Sequence, residues 1–258
     1  MNNVKVIENI SYNETIGDAG KLDIYLPKNS KGAPLLIYFH GGGLEAGDKK
    51  DDRGMYLEVA EQGIIVVSAN YRMYPDFGFP VYLEDASAAV ACALECVKNH
   101  TKYGQVWIGG ISAGGYISMM LHFAKDYLAK QCVDESLIRG YIFDAGQPTT
   151  HFNVLRERGM DTGAIRVDEA APIFYLTEKY VANPRQKYFV ICAENDFPGR
   201  PEQNQMLIKA MIVHGCDEKQ ITYKVMNNFT HAQYVWTKDE NGHYPYATMI
   251  GAFITKNQ

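Results

Sequence analysis

No stretch of this 258-residue chain stays apolar for long enough to cross a bilayer, and Met1 to Ile10 lacks a basic segment leading into a long apolar core. These absences leave no membrane partner to expect, and the expected location is cytoplasmic. Clustered positive charge is missing too. Lysine and arginine number 25 against 30 acidic residues, for a formal charge of −5, which excludes the footprint of a nucleic-acid binder. Cysteine is scarce, and its five positions (Cys92, Cys96, Cys132, Cys192 and Cys216) form an odd, scattered set rather than a disulfide framework. Cys92 and Cys96 lie one helical turn apart, but no second Cys or His pair accompanies them to complete a metal site. They are expected as buried helical thiols. Repeats and low-complexity segments are also absent. With 47% hydrophobic and 21% charged residues, the chain is expected to form one globular domain over 1–258.

The apolar runs that are present are short. Val4 to Ile10 and Leu22 to Leu26 flank the polar stretch Asn13 to Gly20 and read as an antiparallel pair at a sheet edge. Beyond Pro34 come Leu35 to Phe39, Ile64 to Ala69, Val106 to Ile108, Tyr141 to Phe143, Tyr188 to Cys192 and Ile221 to Met226, apolar without alternation. Such runs are expected as strands covered on both faces. Between them, Ala86, Ala89, Val90, Ala93, Leu94 and Val97 make one helical face in Val81 to Lys98. Ile117, Met120, Leu121, Ala124 and Leu128 make another, and a third helix is expected from Pro201 to Gly215. Strand and helix in alternation predict an α/β fold, a mostly parallel twisted sheet with helices on both faces. Ala145 to Pro184 is longer than one crossover needs. It is expected as short helices and loops over the strand ends, either a small lid or pocket wall, or a plain surface excursion.

Chemistry concentrates at Gly110-Ile111-Ser112-Ala113-Gly114, which follows an apolar run and opens a helical pattern. That context predicts a sharp strand-to-helix turn presenting Ser112 as a nucleophile, with glycines where a side chain would strike neighbouring backbone. Upstream, Leu35 to Phe39 ends in His40-Gly41-Gly42-Gly43. The backbone N–H groups of Gly42, Gly43 and Ala113 are the expected oxyanion hole for a tetrahedral acyl intermediate. His40 is expected to brace that loop rather than to react.

A serine needs a base to take its proton and a carboxylate to orient the base. His231 lies just beyond the last apolar strand, where a loop could reach Ser112. His122 and His214 fall inside helical patterns, and His100, His151 and His243 fall in connections with no matching strand end. For the acid, Asp196 follows the strand ending at Cys192 and completes the chain order Ser, Asp, His. Glu194 and Asp144 compete with it, and any of the three could be only a turn or cap residue.

These motifs together resemble the α/β-hydrolase family, in its esterase branch related to hormone-sensitive lipase and to bacterial acetyl and feruloyl esterases. The resemblance runs along nearly the whole chain. It is carried by Leu22 to Pro27, Tyr38 to Gly43 with Gly47-Asp48-Lys49, Asn70-Tyr71-Arg72, Pro80 with Asp85, Gly110 to Gly115, Asp196 and His231. It implies that Tyr71, Arg72 and Asp85 brace the catalytic loops. Two departures stand out: Leu44 occupies a place where many relatives carry an aromatic residue, and Phe197-Pro198 stands where Pro-Leu is common.

The expected function is a serine carboxylesterase acting on short-chain or carbohydrate-linked acyl esters, with no metal or organic cofactor and oligomeric state left open. An amide hydrolase of formamidase type or a peptidase would use the same residues. A noncatalytic ligand-binding protein of this fold is the alternative from another class, and it would have no need of an activated nucleophile.

Overall fold

Strands that are apolar on both faces require cover on both sides, and the chain supplies it from helices before, between and after them. The computed structural model describes residues 3–257. In chain order the elements are β1 (Val4–Ser11), a 3-10 segment (Glu14–Gly20), β2 (Lys21–Pro27), β3 (Leu35–Phe39), α1 (Arg53–Glu61), β4 (Ile65–Ala69), α2 (Val81–Lys98) and β5 (Val106–Ile111). There follow α3 (Ala113–Phe123), α4 (Asp126–Lys130), β6 (Ile138–Asp144), α5 (Phe152–Glu157), β7 (Lys187–Asn195), α6 (Arg200–Val213), β8 (Ile221–Thr230), α7 (Gln233–Trp236) and α8 (Pro245–Lys256).

The eight strands form one sheet in the order β1-β2-β4-β3-β5-β6-β7-β8. β2 pairs antiparallel with both β1 and β4, and every other pair is parallel. The expected antiparallel edge is therefore present, with β2 as the strand that runs against the rest. Alternate positions of β3 enter different cores. Leu35, Ile37 and Phe39 pack with Ala89 and Val90 of α2 and Ile117 of α3. Leu36 and Tyr38 pack with Met55 and Tyr56 of α1 and with Ile250 and Phe253 of α8. Each fully buried aliphatic or aromatic side chain stabilises by roughly 1.5–3 kcal/mol over its exposed state, so both layers are needed to hold the central strands.

Three local expectations need correction. The helix after Ser112 does not run through to Leu128: it stops at Phe123, Ala124 leaves helical geometry at ψ 72°, and α4 restarts at Asp126. Apolar spacing survives the break because Leu128 still enters the same core. β8 is not covered on both faces. It is an edge strand whose Thr222 and Lys224 are exposed, alternating with half-buried Ile221 and Tyr223. Cys92 and Cys96 share a face of α2 with their Sγ atoms 3.1 Å apart, but both are half-buried rather than buried. The polar stretch between β1 and β2 forms the 3-10 segment Glu14–Gly20, with Asn13 capping it through the N–H of Thr15. Among the described residues no helix is long and apolar enough to cross a membrane.

Candidate active site

The strand-to-helix turn at Ser112 forms because the backbones around it come too close for side chains. A Cβ on Gly114 would sit 2.0 Å from the Phe39 carbonyl oxygen, so α3 can leave β5 against β3 only if that residue is glycine. Ser112 itself has φ 56° and ψ −111°, outside the regions that L-residues favour, a strain of about 1–3 kcal/mol that the surrounding structure must hold. Its N–H donates to the Asp144 carbonyl at 2.8 Å, fastening the turn to the end of β6.

Three side chains distant in sequence converge there. His231 Nε2 lies 2.8 Å from Ser112 Oγ, and His231 Nδ1 lies 2.6 Å from Asp196 Oδ1. The Asp196 side chain is buried and also accepts from the N–H of Phe197 at 2.7 Å. Burial works against its ionisation, but the His231 hydrogen bond and charge outweigh that and hold the carboxyl below the usual aspartate range. The Phe197 ring stacks on the imidazole at 4.2 Å between centroids. This chain of contacts can pass a proton from the serine hydroxyl while fixing which imidazole nitrogen carries hydrogen.

The other candidates are engaged elsewhere. Glu194 Oε2 accepts from the N–H of Asn228 at 2.7 Å, tying β7 to β8. Among the histidines, His122 is buried in an aromatic cluster, where desolvation pushes it down to about 3. His151 caps α5 through the N–H of Asn153, and His243 pairs with Glu58 on the surface at 3.4 Å. His100 is exposed, and His214 forms the half-buried C-cap of α6.

Asp144, the third acid, is fully buried, and its Oδ1 accepts from the Tyr234 hydroxyl. Desolvation pushes it up to about 8 against the opposing hydrogen bond from Tyr234. An aspartate titrating near about 3.9 when unfolded then favours the folded state most below that pH, and the advantage is lost as pH rises through about 8. Asp144→Asn keeps an acceptor for Tyr234 without a charge. Its Tm is therefore expected to gain on the wild type steadily from about pH 5 to about pH 9. Parallel Tm curves for the two proteins would show that Asp144 does not titrate in that window.

Gly42 and Gly43 follow β3 with φ 101° and 66°. A Cβ on Gly42 would meet the Ala46 carbonyl oxygen at 1.9 Å, so only glycine fits. Among the described residues, the N–H groups of Gly42, Gly43 and Ala113 donate to no protein acceptor. The loop is braced from three directions. Asn153 of α5 donates to the Gly43 carbonyl at 2.8 Å. His40 Nδ1 lies 2.8 Å from the Gly41 carbonyl oxygen, and its buried ring stacks on Tyr71 at 4.4 Å. Asn70 accepts from the N–H of Lys49 at 2.6 Å, and Lys49 forms a buried ion pair with Asp23 at 2.8 Å. Arg72 fixes the next segment by a bidentate pair with Asp85, at 2.8 and 2.7 Å. Leu44, where an aromatic residue was the family pattern, is fully buried at φ 67° and packs into the α2 and α3 core.

A cavity of about 440 Å³ opens over Ser112, lined by Gly41 to Gly43, Glu45, Asp51, Asp52, Phe152, Phe197, His231 and Trp236, among others. A second of about 350 Å³ shares Phe152 and Phe197 with it and is lined further by Gln147, Ile165 and Arg200. Phe152, Asp52 and Trp236 had no signal in the sequence. They arrive from three separate segments, the N-cap of α1, the start of α5 and the end of α7, and Phe152 belongs to the long 145–184 excursion. Asp52 is 3% exposed, accepts from Trp236 Nε1 at 2.6 Å, and is pushed by burial up to about 6.

A family model described as BD-FAE matches residues 22–142. Probable carboxylesterase 7 of Arabidopsis thaliana is 33% identical over 135 residues, which is 47% of this chain and 42% of that protein. The chain thus spans less than half the length of that relative. Kynurenine formamidase of Danio rerio is 24% identical over 211 residues, 80% of this chain and 69% of the other. The solved structure of esterase B from Lactobacillus rhamnosis superimposes with a TM-score of 0.71 at 18% identity, covering 98% of this chain and 84% of that one. The eight-stranded sheet and the superposition show the fold of the α/β-hydrolase esterases, and the sequence likenesses to a carboxylesterase and a formamidase extend over part of the chain.

Proposed function

We propose that the protein is a serine carboxylesterase. The observation that carries this reading is the continuous hydrogen-bonded chain from Asp196 through His231 to Ser112, at 2.6 and 2.8 Å, at a strained turn beside three unengaged N–H groups. Ser112 Oγ attacks the ester carbonyl while His231 Nε2 takes its proton, and Asp196 stabilises the imidazolium. The carbonyl oxygen, now negative, is held by the N–H groups of Gly42, Gly43 and Ala113. Collapse expels the alcohol, which leaves with the proton from His231. Water, deprotonated by the same imidazole, then releases the acid and restores Ser112.

Substrates are short-chain or carbohydrate-linked acyl esters. The Ser112 cavity is small, and Phe152 and Phe197 stand between it and the second one. A long acyl tunnel would add about 0.8 kcal/mol per buried methylene, nearly fourfold in specificity. Across p-nitrophenyl esters from acetyl to decanoyl, kept below their aggregation limits, kcat/KM is expected to fall with chain length. A maximum at octanoyl or beyond would reject the short-pocket reading.

Amide hydrolysis is the second reading. What favours it is that the match to kynurenine formamidase extends over most of both chains, whereas the carboxylesterase match covers less than half. A formyl amide cleaved with higher kcat/KM than an aryl acetate would select it.

A further inference from the structure

The wall of the Ser112 cavity beyond His231 is acidic and carries an exposed indole. Asp51, Asp52 and Glu45 line the cavity, and among the described residues no lysine or arginine does. The neighbouring cations are committed: Arg156 pairs with Glu45 at the rim, Lys49 is buried against Asp23, and Lys50 reaches Glu8 at 3.6 Å. Asp51 and Asp52 have no cationic partner among the described residues. Asp51 takes only the N–H of Asp48, and Asp52 only the indole N–H of Trp236. Asp52 is buried without a countercharge, a costly arrangement that a cation arriving beside it relieves, and Asp51 adds an exposed carboxylate to the same wall. Trp236 is 55% exposed, so its ring offers a face while its N–H is tied back. Cations bind such faces, those of indole best.

The position of this wall says which half of the ester meets it. In acyl transfer the imidazolium hands its proton to the leaving oxygen, so the alcohol lies on the His231 side of Ser112. Ala232 and Trp236 line the cavity directly after His231, and Asp52 is fixed to Trp236. We propose that the alcohol portion of the preferred ester carries a positive charge, held between Asp51, Asp52 and the indole of Trp236. The inference rests on the ester-hydrolase reading above and adds the charge of the leaving group to it.

Acetylcholine and 3,3-dimethylbutyl acetate test it, since they share a shape and differ by a quaternary nitrogen in place of carbon. At about 0.02 M salt the wild type is expected to favour acetylcholine by about tenfold or more in kcat/KM, and the ratio to shrink at about 0.5 M salt. In Asp51→Asn and Asp52→Asn the ratio falls toward one. Asp51 is exposed, so its variant keeps the test open even if substitution of buried Asp52 disturbs the start of α1. A wild-type ratio at or below one, or a ratio unmoved by both substitutions, overturns the charge inference while ester hydrolysis stands. Failure of both esters, with Ser112 inert to a fluorophosphonate, overturns the esterase reading and this inference with it.

Discussion

Ser112→Ala is expected to lower kcat/KM for a short aryl ester by at least about 10⁴-fold and to leave Tm within about 2 °C of the wild type. The loss is large because the hydroxyl is the atom that bonds to substrate, and among the described residues no other hydroxyl contacts His231 Nε2. Stability is nearly unaffected because the change removes one oxygen facing an open cavity and leaves the φ 56° backbone no less suited to its residue. What remains is the modest acceleration over water that binding and the oxyanion donors give. Turnover close to wild type in a folded Ser112→Ala protein would remove the nucleophile from the account.

Asp196→Asn is expected to cost about 10⁴-fold in kcat with the fold intact. An amide can present its NH₂ to His231 Nδ1, which reverses the tautomer, and Nε2 then carries hydrogen and cannot take the proton of Ser112. Glu194→Gln serves as the contrast. Its side-chain oxygen still accepts from the N–H of Asn228, so activity is expected within about twofold of the wild type. Equal losses in the two variants, or a loss confined to Glu194→Gln, would reassign the acid.

What the sequence made legible was what local sterics dictate. The turn at Ser112 could be read because Gly110 and Gly114 mark close backbone approach on either side, a constraint that survives any rearrangement of distant parts. Asp196 and His231 could be read from strand ends, although both strands continue further than their apolar runs: β7 reaches Asn195 and β8 reaches Thr230. Their last residues pair by backbone hydrogen bonds in a half-exposed edge, where apolar side chains are not required. α1 and α8 were not anticipated. α1 contains Gly54 and follows a charged stretch, and α8 follows a polar turn, so neither announced itself though both are needed to cover one face of the sheet. The cavity wall was less legible still. Phe152, Asp52 and Trp236 meet only through tertiary folding, and nothing in the neighbours of any one of them signals the other two.

An activated Ser112 nucleophile is captured covalently by an electrophilic phosphonate. The protein is incubated with a fluorophosphonate, digested, and the site of phosphonylation located by mass spectrometry. One equivalent of probe is expected on Ser112, abolished in Ser112→Ala and strongly slowed in Asp196→Asn. Absence of adduct from the folded wild type, or an adduct on another residue that persists in Ser112→Ala, would contradict Ser112 as the nucleophile.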